Sequence, residues 1–443
     1  MKARITFLAL LVCACQGKKA PEPAKAQLSL PPPPVAPEPP PPNKSPLTLG
    51  EYPTTDGSIA VGNLEAQIGG LEKILDRNPT APNVEQKVGL VSLYLSRAQF
   101  LGKLADYDRA EAMANRLVQD SPKDANMLLV RAAVRGALHQ YKEALADLDV
   151  AQKKIKDGRV DVARAVILQA LGRYDEALAL RKQAAKLRET LPSLSALANV
   201  HADRGEILEA ERLYTEAQYK TRDVSPFPFA FMHLQQGLMW QREGRLARAR
   251  QFFEAAHERI PAYAPATSHL AAVMAQMGEK AQAIALLKPL VEKSDDPEYA
   301  GQLGALMGDA VMIERAKTAF QELMAKHPDA FADHAARFYL AVDPARAMGP
   351  AQRNLQLRQT PDAYQLAIDA ALAANDRKVA CATADAAMKL KYKSTALDAA
   401  CAKAFLLCGK TDQAAAAKKL ADEATAALTS PASSAPGNAA GGP

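Results

Sequence analysis

A phosphate-binding loop is the first chemistry that the sequence suggests. Residues 404–411, Ala-Phe-Leu-Leu-Cys-Gly-Lys-Thr, satisfy a relaxed form of the pattern in which backbone amides and a lysine cradle phosphates. Such a loop follows a strand, whereas Ala402 and Phe405 belong to a predicted helix and Gly409 is the residue at which that helix turns. We therefore interpret the match as coincidence and predict no small-molecule substrate.

Three cysteines in the C-terminal part of the chain suggest redox chemistry. Cys401 and Cys408 are seven residues apart on one predicted helix, which separates them by about 10.5 Å along its axis, too far for a direct bond. Cys381 lies on the preceding helix, so it could form a disulfide with either of them. The alternative is three buried thiols that pack as small apolar side chains. No histidine or acid stands beside them at ligand spacing, so we predict no metal site.

The histidines provide no catalytic constellation. Seven are present, among them His201, His233 and His334, and they form no acid–base or metal-ligand cluster in the sequence. A nucleophile elbow is also missing from the sequence. We predict a protein that is not an enzyme and that binds no cofactor.

The elements that position these residues follow a repeat of about 34 residues. A small residue precedes an alanine by twelve positions in eight places, and successive alanines are 34, 33, 33, 39, 34 and 33 residues apart over the first seven. The pairs are Ala98/Ala110, Ala132/Ala144, Ala165/Ala177, Ala198/Ala210, Gly237/Ala249, Ala271/Ala283, Gly304/Ala316 and Ala402/Ala414. This period is typical of a helix-turn-helix unit.

Glycines between the paired positions indicate where each unit turns. A glycine stands five residues before the alanine in five units, where a first helix must end without a penalty from a Cβ atom. These residues are Gly172, Gly205, Gly244, Gly278 and Gly409. The pattern predicts an all-α solenoid of paired helices, in which small residues let the two backbones approach closely.

The segment 171–178, Leu-Gly-Arg-Tyr-Asp-Glu-Ala-Leu, resembles the core of a tetratricopeptide repeat (TPR), and the other units resemble the same family. The resemblance covers about residues 91–424, in nine or ten repeats, after a lone helix from about Asn63 to Arg77. It implies a right-handed superhelix, a long curved cradle whose concave groove is lined by the first helix of each pair. For this family, such a groove implies protein or peptide binding.

Two units depart from the pattern. Phe338 and Pro350 occupy the paired small positions in the unit at about 331–360, which we expect to be distorted or to act as a hinge. The next unit keeps Ala380 but has Ile368 in place of its small partner.

The resemblance assigns an apolar set of residues to the groove. Asn199 and Asp203 are its main polar members, and it lacks the lysine and asparagine set with which some relatives clamp a terminal carboxylate. The apolar members are Leu95, Leu129, Val162, Val166, Phe231, Leu234 and Leu238. This set favours a partner helix or an extended hydrophobic segment as the ligand.

An aromatic patch interrupts the repeat where the spacing widens to 39 residues. Phe227 and Phe229 lie between prolines, and Phe231 and Trp240, the only tryptophan, follow closely. One hypothesis is that Phe227 and Phe229 are partly exposed and contact a partner, because aromatic residues are enriched in binding hot spots. The alternative is that the patch fills a gap between two superhelical blocks.

The amino terminus predicts export and a membrane anchor. Two basic residues precede an apolar run at 5–12, which is far shorter than the roughly 20 residues that span a bilayer and is typical of a secretory signal. The run ends in Leu-Val-Cys-Ala-Cys-Gln, which resembles the lipobox of bacterial lipoproteins with Cys15 as the acylated residue. The alternative is an ordinary signal peptide cut nearby. Within that family, Gln16 after the cysteine favours the outer membrane.

Composition divides the chain into four parts. Twelve of the 26 residues from Pro21 to Pro46 are proline, which predicts an extended spacer of roughly 80 Å at about 3.1 Å per residue; a ligand for a proline-binding domain is the alternative. We predict a signal peptide at 1–15, a proline-rich linker at 16–57, the solenoid at 58–424 and a disordered tail at 425–443.

These features together predict a scaffold in the bacterial envelope. We expect a lipid-anchored protein of the outer membrane that faces the periplasm and holds envelope proteins in its groove. It resembles the repeat lipoproteins of gliding-motility, pilus and secretion complexes. A regulator of a cell-wall synthase and a small-ligand-binding lipoprotein are the alternatives. The net charge of +6 is modest for 443 residues, so no nucleic-acid partner is expected.

Overall fold

The computed structural model describes residues 52–78, 83–220 and 224–428, and the regular elements of these segments are all α-helices. The predicted signal peptide, Cys15, nearly all of the linker and most of the tail lie outside the described residues.

A single helix comes first, and ten helical hairpins follow it in the described part. The first helix is α1, Gly57–Arg77. The hairpins are α2 Val84–Leu101 with α3 Ala105–Asp120, α4 Ala125–Ala137 with α5 Tyr141–Ala151, α6 Arg159–Ala170 with α7 Tyr174–Leu187, α8 Leu191–Asp203 with α9 Ile207–Tyr219, α10 Pro226–Arg242 with α11 Leu246–Arg259, α12 Ala264–Gln276 with α13 Lys280–Lys293, α14 Pro297–Met307 with α15 Ala310–Lys326, α16 Pro328–Val342 with α17 Pro344–Leu357, α18 Pro361–Ala373 with α19 Arg377–Ala387, and α20 Thr395–Leu407 with α21 Thr411–Ala427.

The hairpin turns are built as the glycine pattern predicts. Gly172 has a left-handed φ of +80°, and the next amide, that of Arg173, donates to the carbonyl of Leu168 at 2.8 Å. This hydrogen bond closes the end of α6 and directs the chain back along it. The other predicted glycines also have positive φ, and His139 and Asn375 take the same conformation in two of the three described hairpins that lack a turn glycine. Both residue types tolerate this region better than most.

The paired small residues lie inside the hairpins. Ala177 and Ala249 are fully buried, and the members of the other predicted pairs are buried as well. Two of the pairs use glycine because an aromatic or branched side chain needs the space. A Cβ atom on Gly237 would lie 2.4 Å from the Phe253 ring, and one on Gly304 would lie 3.1 Å from Ile313.

The irregular unit at 331–360 is a regular hairpin with a shorter connection. Only Asp343 separates α16 from α17, and the buried small pair is Ala335 with Ala347, three residues earlier than the expected positions. Phe338 instead stacks on Phe320 at 4.8 Å and fills the space beside Gly301. The expected distortion is therefore a shift in register, and a hinge at this unit stays a prediction.

Successive turns of the superhelix contact each other in the structure, whereas the sequence predicts a long curved cradle without such contacts. The imidazole Nδ1 of His139 lies 3.0 Å from the carbonyl oxygen of Asp329, and the Asp295 amide donates to the Gly102 carbonyl at 3.2 Å. The first of these pairs is 190 residues apart, which is between five and six repeats. The chain thus completes one superhelical turn and stacks a second on the first.

The two stacked turns meet along different edges of their hairpins. We call the residues that join the two helices of a hairpin the turn edge of the superhelix. The residues that join successive hairpins form the loop edge. The seam is the line along which the turn edge of the first superhelical turn contacts the loop edge of the second. In the seam, the turn edge from α1 to α11 packs on the loop edge of the later hairpins. The Asp175 carboxylate, for example, accepts hydrogen bonds from Lys391 at 2.7 Å and Tyr392 at 2.6 Å.

The seam begins at the first described residues. Tyr52 stacks on Phe229 with ring centroids 5.6 Å apart, and Arg259 donates to the Tyr52 carbonyl at 3.1 Å. The Thr55 amide donates to the Val224 carbonyl at 2.7 Å. The segment before α1 is therefore fixed between the start of α10 and the end of α11.

Candidate interaction surface

The first helices of the hairpins form the inner wall of the superhelix. They pack directly on one another along the chain: α2 on α4, α4 on α6, α8 on α10, α14 on α16, α16 on α18 and α18 on α20. Elements on the inside of a curve are closer together than those on the outside. The inner wall is therefore the surface that the TPR resemblance predicts for ligands.

Only part of the predicted apolar set is accessible on this wall. Leu95, Leu129 and Leu234 are at most 5% exposed and belong to the core, so they present almost no accessible surface to a ligand. The residues that keep accessible surface are Val162, Val166, Phe231 and Leu238, and Val166 is the most exposed of them at 43%. Whether these four bind a partner stays a prediction.

The aromatic patch packs within the seam, at the start of α10. Phe229 is 2% exposed and carries the Arg259 guanidinium 4.7 Å from its ring centroid. Phe227 is half-buried, with its ring 4.8 Å from that of Phe100. The expected exposure of Phe229 is therefore wrong, and the packing favours the alternative that the patch fills a gap. Trp240 is 1% exposed and lies under the guanidinium of Arg248.

A charged cluster, which the apolar set does not predict, joins the inner wall to the seam. Arg242 donates to the Asp203 carboxylate at 2.8 Å and lies 3.5 Å from the Asp362 carboxylate. Gln169 donates to the same Asp203 at 2.7 Å. Burial lowers the pKa of Arg242, but the Asp362 and Asp203 carboxylates outweigh it and raise the pKa. Burial raises the pKa of Asp203, against the effect of Arg242.

Asp203 is predicted as a polar groove residue, but the spacing that pairs it with Arg242 is a signal that the sequence analysis missed. Asp203 and Arg242 each stand five residues after the small residue of their repeat, Ala198 and Gly237. Equivalent positions on successive repeats are neighbours in a solenoid. Asp362 has no such signal, because it reaches the cluster only through the second superhelical turn.

A second charged cluster lies where α14, α16 and α17 meet. Arg358 donates to Asp333 at 2.6 Å, and the His334 imidazole lies 2.5 Å from the Glu298 carboxylate. Burial lowers the pKa of His334, but the two carboxylates outweigh it and raise the pKa to about 10. The two carboxylates therefore favour the cationic form of His334. His139, across the seam, is the reverse case, because burial lowers its pKa to about 4 and keeps it neutral.

A cleft lies in the seam. It has a volume of about 430 Å³ and is lined by residues 171–176, Gln359, Pro361 and residues 389–392. Tyr174 and Tyr392 meet edge to face across it, with centroids 6.0 Å apart. Its charged groups are largely engaged with each other, since Arg173 binds Glu176 and Lys391 binds Asp175. The cleft is consistent with a junction between turns.

One of the two disulfides that the sequence allows is formed in the structure. Cys381 and Cys408 form a disulfide with their Cα atoms 6.0 Å apart, and Cys401 is a buried free thiol. Burial raises the pKa of Cys401 to about 12, so its reactive thiolate form is suppressed. The bridge connects α19 to the turn before α21.

The segment resembling a phosphate loop, residues 404–411, consists of the last turn of α20, this same connection and the first residue of α21. Gly409 has a φ of +72°, and Lys410 pairs with Asp385 at 2.6 Å. Within the described residues, no group of three or more histidine, cysteine, aspartate or glutamate side chains could hold a metal ion. No described helix is long and apolar enough to cross a membrane.

Comparison with known proteins supports the repeat assignment. Residues 241–306 match the family model described as tetratricopeptide repeat. This match covers the end of α10, all of α11, α12 and α13, and nearly all of α14, so the repeat class is identified on that stretch. Comparison with curated protein sequences gave no significant match.

Solved structures of repeat proteins overlay on the chain. A tetratricopeptide repeat protein from Parabacteroides merdae is 15% identical, with 56% of this chain and 94% of that chain covered and a TM-score of 0.40. Yeast Tom70 is 12% identical, with 84% and 95% covered and a TM-score of 0.34. The helical hairpins of the described residues and the family match over residues 241–306 indicate TPR-like repeats, a fold that suggests a scaffold for protein–protein interaction.

Proposed function

We propose that this protein is a lipid-anchored scaffold that faces the periplasm and holds protein partners of an envelope complex. The observation that carries the proposal is the inner wall of first helices, on which Val162, Val166, Phe231 and Leu238 keep accessible apolar surface. A helix or an extended apolar segment fits such a wall. In this proposal, the protein catalyses no reaction and binds no nucleic acid or small-molecule substrate.

Two observations support the proposed location. The sequence before residue 16 resembles a lipoprotein signal that ends at Cys15. The Cys381–Cys408 disulfide fits an oxidising compartment, because such bonds are rare in the cytosol. Gliding motility, pilus and secretion complexes are the contexts that we propose, with the outer membrane as the site of anchoring. A regulator of a cell-wall synthase remains the alternative within the same compartment.

Site-specific crosslinking in intact cells tests the scaffold. A photo-reactive residue at Val166, on the inner wall, should give discrete adducts with envelope proteins. The same residue at Leu420, which is 38% exposed on the second helix of the last hairpin, serves as the matched control and should give none of these adducts. Identical adducts from both positions, or none from Val166 at any growth stage, would contradict the scaffold role.

The anchor is tested separately. Exchanging Cys15 for alanine should release the protein from sedimented outer membranes, because the acyl chains are then absent. A variant that still sediments with these membranes would remove the lipid anchor from the proposal without affecting the inner-wall result.

A further inference from the structure

The seam uses only half of each edge of the superhelix. The turn edge of the later hairpins, from α12 to α21, and the loop edge of the earlier ones, from α1 to α8, do not take part in it. The turn glycines show the difference. A Cβ atom on Gly172 would lie 2.7 Å from the Gln359 carbonyl oxygen and one on Gly205 would lie 3.2 Å from the Lys393 carbonyl oxygen, both in the seam. One on Gly278 or Gly308 would have no neighbour within 4 Å, and the same holds for Gly244 at the far end of the seam.

The two uncovered edges carry exposed apolar side chains. Thirteen large apolar residues are exposed in the described part of the chain, and seven of them lie on these edges. The uncovered turn edge carries Met277, Met307, Val311 and Leu406. The uncovered loop edge carries Ile74, Val150 and Leu187. Val311 and Leu187 are the most exposed, at 74% and 73%.

We propose that the two uncovered edges are an interface between copies of this chain, in which the turn edge of one copy docks on the loop edge of the next. The seam already joins a turn edge to a loop edge within one chain. A second copy displaced along the superhelix axis would continue the same stacking, with its first turn resting on the second turn of its neighbour. The inference stands on the seam and does not depend on the proposed function.

The geometry makes this interface head-to-tail. The two edges lie at opposite ends of the superhelix and differ from each other, so the contact uses different patches on the two copies. Such a contact leaves one free edge at each end of the assembly. Association therefore continues beyond a dimer and grows with concentration.

Sedimentation velocity of the full chain over a concentration series tests the proposal. The wild-type protein should form species that grow with concentration. Val311→Asp and Leu187→Asp should each weaken association by about tenfold or more, because either one places a charge inside the dry interface. Both sites are solvent-exposed in the single chain, so each variant should keep the wild-type melting temperature. Leu420→Asp, an exposed apolar residue on neither edge, is the matched control and should associate as the wild type does.

Mixing the two edge variants gives the sharper result. The Val311→Asp copy keeps an intact loop edge and the Leu187→Asp copy an intact turn edge, so the mixture should form a one-to-one complex that grows no further. An interface that uses the same patch on both copies would give no such complex. A wild-type protein that stays monomeric throughout the series, or association unchanged by both substitutions, would overturn the proposal.

Discussion

At the scale of single residues, close approach of the helices depends on positions where a side chain is missing. Gly237 and Gly301 leave space for the rings of Phe253 and Phe338, and a Cβ atom on either glycine would lie within 2.5 Å of a ring carbon. Phe253 is fully buried and stacks on His269 with centroids 5.3 Å apart. A close-packed interior cannot move such a ring without cost. The glycines are therefore fixed by packing, although glycine weakens a helix.

Two glycine-to-alanine changes should shift stability in opposite directions. Gly237→Ala should overpack the hairpin of α10 and α11 at a cost of about 1 to 3 kcal/mol, which exceeds the gain in helix propensity, so the melting temperature should fall. Gly70→Ala, in α1, has no neighbour within 4 Å of the added Cβ atom and should stabilise by about 0.5 to 1 kcal/mol. Urea denaturation monitored by circular dichroism measures both. A stabilised Gly237→Ala protein would disprove the packing argument.

At the scale of elements, each hairpin depends on its neighbours, and among the described residues the last hairpin has a neighbour along the array on only one side. Stability in a repeat array is approximately a sum over units and their interfaces. The final hairpin of α20 and α21 therefore gains less from stacking than the internal ones. The Cys381–Cys408 bridge ties it to α19 across 27 residues. The bridge compensates for the missing interface.

Removing the bridge should therefore loosen the end of the array first. The loop entropy of a closed segment of this length corresponds to about 3 to 4 kcal/mol. The double variant Cys381→Ala with Cys408→Ala should lose amide hydrogen-exchange protection in α19 to α21, while α4 to α9 keep theirs. Cys401→Ala, which removes only the free thiol, is the control. Uniform loss of protection along the whole chain in the double variant would contradict a local effect.

At the scale of the whole molecule, the seam decides the shape. Its contacts join residues that are distant in sequence, such as His327 with Asp108 at 2.7 Å and Arg242 with Asp362. Burial raises the pKa of Asp108, but hydrogen bonds from Lys326 and His327 outweigh it and lower the pKa. The stabilisation from this carboxylate is therefore present above its unfolded pKa and is lost as the pH falls through the folded value. A chain without the seam would be an open superhelix.

A matched pair of turn glycines separates the seam from the hairpins. Gly172→Ala and Gly278→Ala both force an alanine to positive φ, at +80° and +88°, which costs roughly 1 to 2 kcal/mol in each hairpin. Only Gly172→Ala also places a Cβ atom against the Gln359 carbonyl in the seam. Small-angle X-ray scattering should show a larger radius of gyration for Gly172→Ala alone. Equal radii for the two variants would show that the turns do not separate at this point.

The sequence by itself determined the hairpins. The pairs of small residues twelve positions apart and the turn glycines act within one repeat. Each hairpin can therefore be predicted from its own local sequence. His139 and Asn375 also stand at positions where a turn residue is needed. The unit at Phe338 was misread because a shorter connection moved the small pair by three residues. The groove was predicted only in part, since Val166 is accessible whereas Leu129 and Leu234 are in the core.

Only the tertiary structure decided how the hairpins are wound and which residues meet across the turns. The pairing of Cys381 with Cys408, the burial of Phe229 and the contact of Arg242 with Asp362 were open or unseen in the sequence. The physical reason is that the superhelical path is a sum of small rotations at every hairpin interface. Whether that sum brings Gly102 to Asp295 depends on packing along the intervening repeats, which no local pattern of residues encodes.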